Sequence, residues 1–122
     1  MKRVLDVGQC SMDHASLRYL VESEFEASLA QAHGERDALA RLRAEPFDLV
    51  LVNRVFDRDG SDGLSLIKAI KADPRLAPLS VMLVSNYPQY QEQATAAGAE
   101  RGFGKSELRE PETVELLRKY LG

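Results

Sequence analysis

Four groups of residues carry types that chemistry uses, and each is judged by what would have to surround it. Residues 57–62, Asp57-Arg58-Asp59-Gly60-Ser61-Asp62, gather carboxylates in the manner of a calcium loop. Asp62 stands where such a loop requires glycine and Lys68 where it requires a bidentate glutamate, so an acidic turn ending in a helix cap is expected instead. Residues 99–106, Ala99-Glu100-Arg101-Gly102-Phe103-Gly104-Lys105-Ser106, match a relaxed phosphate-binding loop with alanine for its first glycine. That loop must follow a buried strand, whereas residues 89–98 are polar, alanine-rich and helically spaced, which argues against nucleotide binding. Asp6, His14 and Ser85 contain the parts of a hydrolytic triad, but no glycine-flanked serine marks a nucleophile elbow. Cys10, His14 and His33 are too few and too scattered for zinc, which asks for about four ligands.

The elements that must position any site alternate. Short β-rich apolar runs fall at residues 4–7, 25–32, 48–52, 80–85 and, weakly, 101–103. Between them the apolar residues recur at three and four: Leu17, Leu20, Val21 and Phe25; Ala38, Leu39 and Leu42; Leu64, Ile67 and Ile70; Tyr90, Ala94 and Ala97; Val114, Leu117 and Leu121. Each set makes one apolar helix stripe. Asp13 is placed to cap a helix starting at His14, and Asp62 to cap the one carrying Leu64. Asp73-Pro74 ends that helix, and Glu110-Pro111-Glu112 opens the last. Runs 48–52 and 81–84 are continuous rather than alternating, as in strands covered on both faces. The pattern predicts an α/β domain: a doubly wound (βα)5 unit of the flavodoxin-like kind, with a five-stranded parallel sheet and helices on both faces. Such a unit carries its functional groups on loops at the carboxyl ends of the strands. Residues 8–11, 33–34, 53–63, 85–88 and 104–107 should therefore converge.

Bulk properties narrow the classes. The 122 residues suit one domain spanning residues 1–122, with 44% apolar content to fill one core. A net charge of −3 without a polybasic run disfavours nucleic acid. Arg36, Arg41 and Arg43 alternate with Glu35, Asp37 and Glu45, which reads as a salt-bridged helix face. The single Cys10 permits no internal disulfide and suits a reducing compartment. Asp6 interrupts any signal-peptide core and no run approaches the length of a membrane span, so a cytoplasmic location is expected.

The chain resembles the receiver domain of bacterial two-component response regulators over essentially its whole length. The resemblance rests on Phe47-Asp48-Leu49-Val50-Leu51-Val52-Asn53, on Asp62-Gly63-Leu64 entering a helix that ends Ile67-Lys68-Ala69-Ile70, on Val81-Met82-Leu83-Val84-Ser85, and on Ala97-Gly98-Ala99 followed by Lys105. It implies a phosphoryl-accepting aspartate ending the third strand, an acidic pair after the first that helps hold Mg²⁺, a hydroxyl ending the fourth and a lysine ending the fifth. Carried over residue by residue, the hydroxyl is Ser85 and the lysine Lys105. The acceptor position is Asn53, a poor nucleophile, and the acidic pair reads Gly8-Gln9, which removes the carboxylates a hard cation requires. Asn86 replaces a small residue, Ser106 a proline and Gly102 an aromatic, while Gly63 lies two residues farther from the acceptor position than the family spacing. Asn53 is expected to hydrogen-bond within its own loop or with Lys105, where an amide satisfies the lysine without a metal, and Gln9 is expected to contribute in the same way.

The resemblance thus implies a pseudo-receiver: a non-enzymatic signalling module with no metal or cofactor, acting by protein–protein contact. Its partner face is expected on the fourth helix, fifth strand and fifth helix, with Tyr87, Tyr90, Gln91, Arg101, Phe103, Leu116 and Tyr120 as candidates for a signalling partner, such as a histidine kinase or output protein, or for a second copy in a homodimer. Should Tyr90 and Phe103 be core, only Tyr87 and part of the last helix would remain. The alternative is a working phosphorylation switch whose acceptor is Asp57 or Asp59.

Overall fold

The continuous apolar runs occupy the middle of the sheet, as strands covered on both faces must. A computed structural model describes residues 1–122. In chain order the elements are β1 (Lys2–Val7), α1 (Ser11–Glu24), β2 (Ala27–Ala32), α2 (Glu35–Ala44), β3 (Leu49–Asn53), α3 (Gly63–Ala72), β4 (Val81–Val84), α4 (Pro88–Ala96), β5 (Glu100–Phe103) and α5 (Pro111–Leu121), with a 3-10 turn at Lys105–Glu107. The five strands form one sheet in the order β2-β1-β3-β4-β5, and every neighbouring pair is parallel. This is the expected doubly wound (βα)5 fold.

Side-chain alternation along the buried strands divides the core in two. Val50 and Val52 pack with Leu66, Ile67 and Ile70 of α3 on one face. Leu49 and Leu51 pack with Leu17, Leu20 and Val21 of α1 and with Leu117 and Leu121 of α5 on the other. Each fully buried leucine or isoleucine contributes about 1.5–3 kcal/mol by leaving water, so the two apolar layers hold the helices against the sheet. No helix is long and apolar enough to cross a membrane.

Local signals set most boundaries. Asp62 Oδ1 accepts the Leu64 amide hydrogen at 2.9 Å and caps α3, whose C-cap is Asp73. At α1 the expectation is corrected. The helix begins at Ser11, and its cap is Cys10, whose Sγ accepts from the Asp13 amide at 3.5 Å. Asp13 instead sits in the first turn, where the positive end of the helix favours a carboxylate. Phe25 falls just outside α1, and β2 starts two residues later than its apolar run, because Phe25 turns into the core as the chain reverses. Of the salt-bridged face expected on α2, only Arg41–Glu45 forms, at 3.1 Å; Arg43 reaches Asp73 instead, at 3.3 Å, and Arg36 makes no ion pair.

Candidate functional site

The strand order reverses between β1 and β3, so the loops after them, with those after β4 and β5, border one crevice. Asn53 is buried at its floor. Its Nδ2 donates to the carbonyl oxygens of Gly8 at 3.0 Å and Val55 at 2.7 Å. The Val55 bond lies within the loop, as expected, while a bond to Lys105 is absent. Lys105 Nζ instead donates to Asp13 Oδ2 at 2.8 Å, because α1 starts early enough to bring Asp13 beside it. Gln9 is also not a partner of the lysine. It is 2% exposed, and neither its amide nitrogen nor its oxygen has a hydrogen-bond partner.

Gly8 has φ +85°, and a Cβ built there would overlap the Phe56 ring, which is 1% exposed. Phe56 therefore fills the space that a side chain at position 8 would need. The loop after β3 folds back on itself to hold the ring there. Gly60, at φ +74°, turns it back, Phe56 N donates to Ser61 O at 2.9 Å and Val55 bridges Asp62 in antiparallel fashion. Asp57 N donates to Gly8 O at 2.9 Å, tying this small hairpin to the end of β1. Asp59 Oδ1 accepts from the Ser61 amide at 2.9 Å and hydroxyl at 2.6 Å, and these bonds hold its carboxyl below the usual range.

Two departures from the family pattern explain one another. Asn86 Oδ1 accepts from the Ser106 amide at 3.1 Å and hydroxyl at 3.0 Å. A proline at 106 has no amide hydrogen to give, so the β4 and β5 loops are joined here by a bond that the usual pair cannot make. A Cβ at Gly104 would strike that same Asn86 oxygen, and one at Gly102 would strike the Leu83 carbonyl, so no aromatic fits at position 102. Ser85 Oγ accepts from Tyr87 N at 3.3 Å.

Of the expected partner-face residues, Gln91 and Phe103 are buried. Gln91 Nε2 donates to Leu83 O at 2.9 Å and Ser85 O at 3.1 Å, while its Oε1 accepts from Gly102 N at 3.0 Å. Gln91 thus supplies polar bonds that an irregular β4–β5 pairing leaves open. Both residues belong to the interior. Tyr87 is 59% exposed and Arg101 is exposed, while Tyr90, Leu116 and Tyr120 are half-buried.

Two members of the discounted triad, Asp6 and His14, do meet, in a buried contact for which the sequence offered no structural reason. Asp6, wholly inaccessible on β1, meets His14 Nδ1 of α1 at 2.8 Å. Burial pushes its carboxyl up to about 6, with His14 holding it from rising further. Only alternation along β1 hinted that an acid sat on an apolar face. The linkage has a definite sign: the folded chain binds this proton below about pH 6 and the unfolded chain only below about 3.8. Asp6 thus favours folding fully at pH values below both, and that contribution falls away as pH rises through 6. Relative to wild type, Asp6→Asn is expected to be about 2 kcal/mol more stable at pH 7.5 than at pH 4.5. Urea unfolding at the two pH values checks this, and a pH-independent difference overturns it.

The resemblance to receiver domains implies a Mg²⁺ ion, and these residues do not fit one. Gly8, Gln9 and Asn53 offer no carboxylate, the Asn53 amide points donors rather than acceptors at the neighbouring carbonyls, and nowhere do three or more His, Cys, Asp or Glu residues gather as a metal would need.

Comparison places the fold. No protein-family model matches the chain, and no curated protein does. Solved structures do. The signal receiver domain of a DNA-binding response regulator from Colwellia psychrerythraea 34H is 24% identical with TM-score 0.80, covering 98% of this chain and 97% of that one. A response regulator from Thermotoga maritima is 23% identical with TM-score 0.79, over 98% and 97%. The Vibrio cholerae chemotaxis protein CheY4 is 18% identical with TM-score 0.78, over 99% of each. The chain has the fold of response-regulator receiver domains.

Proposed function

We propose that this protein is a pseudo-receiver of two-component signalling that works by binding a signalling protein and does not take up a phosphoryl group. The observation that carries the reading is Asn53 donating to both Gly8 O and Val55 O, with the Phe56 ring filling the side-chain space at position 8. Phosphoryl transfer depends on positioning and on charge neutralisation by metal. One similar structure, a Burkholderia pseudomallei response regulator, holds a phosphorylated aspartic acid and a calcium ion. In this chain an amide stands in the acceptor position and an aromatic ring beside it. Asp57 and Asp59, the alternative acceptors, are exposed on the hairpin, and neither borders the cavity that holds Ser85 and Lys105. The contact face consists of Tyr87 and Arg101, flanked by Tyr90, Leu116 and Tyr120, and meets a signalling partner or a second copy of the chain.

Intact-mass measurement after incubation with acetyl phosphate and Mg²⁺ tests the proposal. The expected result is an unchanged mass. A stoichiometric gain of one phosphoryl group overturns it, and peptide mapping to Asp57 or Asp59 then establishes the alternative.

A further inference from the structure

The crevice retains a cavity of about 360 Å³, at the small end of the range that small-ligand clefts occupy. Three consecutive strands of the sheet supply its polar side: Arg54 follows β3, Ser85 follows β4 and Lys105 follows β5. Adjacent strands lie about 4.8 Å apart, so the strand ends that carry Arg54 and Lys105 stand roughly 10 Å apart with Ser85 between them. Val55, Tyr87 and Tyr90 supply its apolar side. The Arg54 guanidinium lies 4.3 Å from the Tyr90 ring centroid, and Tyr90 meets Tyr87 edge-on at 5.8 Å. No carboxylate lines the cavity.

We propose that this cavity binds a small organic monocarboxylate with an apolar body, without metal. Arg54 Nη1 donates to Asp62 at 3.2 Å and Lys105 to Asp13 at 2.8 Å. Both pairs are open to solvent and therefore weak. One guanidinium bond leaves most of the five Arg54 donors unused, and Lys105 keeps two of its three. Arg54 Nε has no partner but is shielded from water, so a ligand would be met by the terminal guanidinium nitrogens. The Ser85 oxygen already accepts from Tyr87 N, so its hydrogen remains to be donated. Asn53 has turned both its amide hydrogens to Gly8 O and Val55 O and offers the cavity no donor. Val55 and Tyr87 are two of the few large apolar side chains left in water, at 51% and 59% exposure, and covering them favours a ligand with a carbon body over a bare inorganic anion.

The proposal rests on the metal-free reading of the crevice, and the experiments separate the two. Amide chemical shifts of the full ¹⁵N-labelled chain are followed during titration with phenylacetate, hexanoate, phenylacetamide and inorganic phosphate. Saturable shifts at Val55, Ser85 and Tyr87 are expected with at least one of the two carboxylates, with at least tenfold weaker binding of phenylacetamide and of phosphate. Arg54→Gln is expected to weaken carboxylate binding at least tenfold; Lys105→Gln serves if that variant does not fold. Failure of both carboxylates to shift these amides, equal binding of phenylacetamide, or phosphate binding as tight as the carboxylates' overturns the proposal. An unchanged mass with acetyl phosphate alongside such a failure leaves the pseudo-receiver reading standing, whereas a phosphoryl gain sinks that reading directly.

Discussion

Gly8→Asp is expected to cost about 4 kcal/mol or more, enough to unfold much of the population of an ordinary domain. Two effects add. A left-handed backbone costs a residue with a Cβ about 1–2 kcal/mol, and Gly8 sits at φ +85°. The new side chain would also collide with the Phe56 ring, and forcing extra atoms into a packed interior costs typically about 1–3 kcal/mol. Burying an unpaired carboxylate raises the total further. Phe56→Ala alone should cost about 3–5 kcal/mol by opening a cavity. Because the two residues compete for one volume, the double variant should be at least about 1 kcal/mol more stable than the sum of the single effects requires. Urea unfolding of the four proteins measures this. Strict additivity would mean that Phe56 does not occupy the position-8 space.

Asn53→Asp should destabilise the chain by about 2–4 kcal/mol at neutral pH, although it restores the family's acceptor residue. The Asn53 nitrogen lies 3.0 Å and 2.7 Å from two carbonyl oxygens, and a carboxylate oxygen in its place turns two hydrogen bonds into repulsion. Protonation removes much of that repulsion, so the introduced carboxyl should have a raised pKa in the folded state. The folded variant then holds a proton that the unfolded chain has released. Its deficit should be full at pH values above the folded pKa and shrink as pH falls toward 4. Magnesium titration should show no saturable binding across the millimolar range, since Gly8 and Gln9 still contribute no charge. Ordinary receiver affinity in this single variant would refute the account of the crevice.

The fold was legible because its signals are local. Runs 48–52 and 81–84 identified central strands, and the spacing of Leu64, Ile67 and Ile70 with the Asp62 cap located α3. Where a boundary depended on more than its neighbours, reading failed: Cys10 rather than Asp13 caps α1, since a thiol is an uncommon cap and an aspartate a favoured one. The missing carboxylates at positions 8, 9 and 53 were visible in the letters alone. Phe56 gave a weaker sign, one aromatic in an otherwise acidic and glycine-containing loop. Gln91 offered none, because its three partners lie on β4, just after it and on β5, and come together only once those strands pair.

By itself, then, the sequence determined the succession of strands and helices along the chain and the absence of acids at positions 8, 9 and 53, since periodicity and residue type are properties of the chain. Only the tertiary structure decided that Lys105 pairs with Asp13 across 92 residues, that Asn53 reaches Gly8 across 45, and that Asp6 lies buried against His14. Those contacts depend on how far each loop carries its side chains above the sheet. The hairpin that follows β3 is what holds a phenyl ring beside position 8.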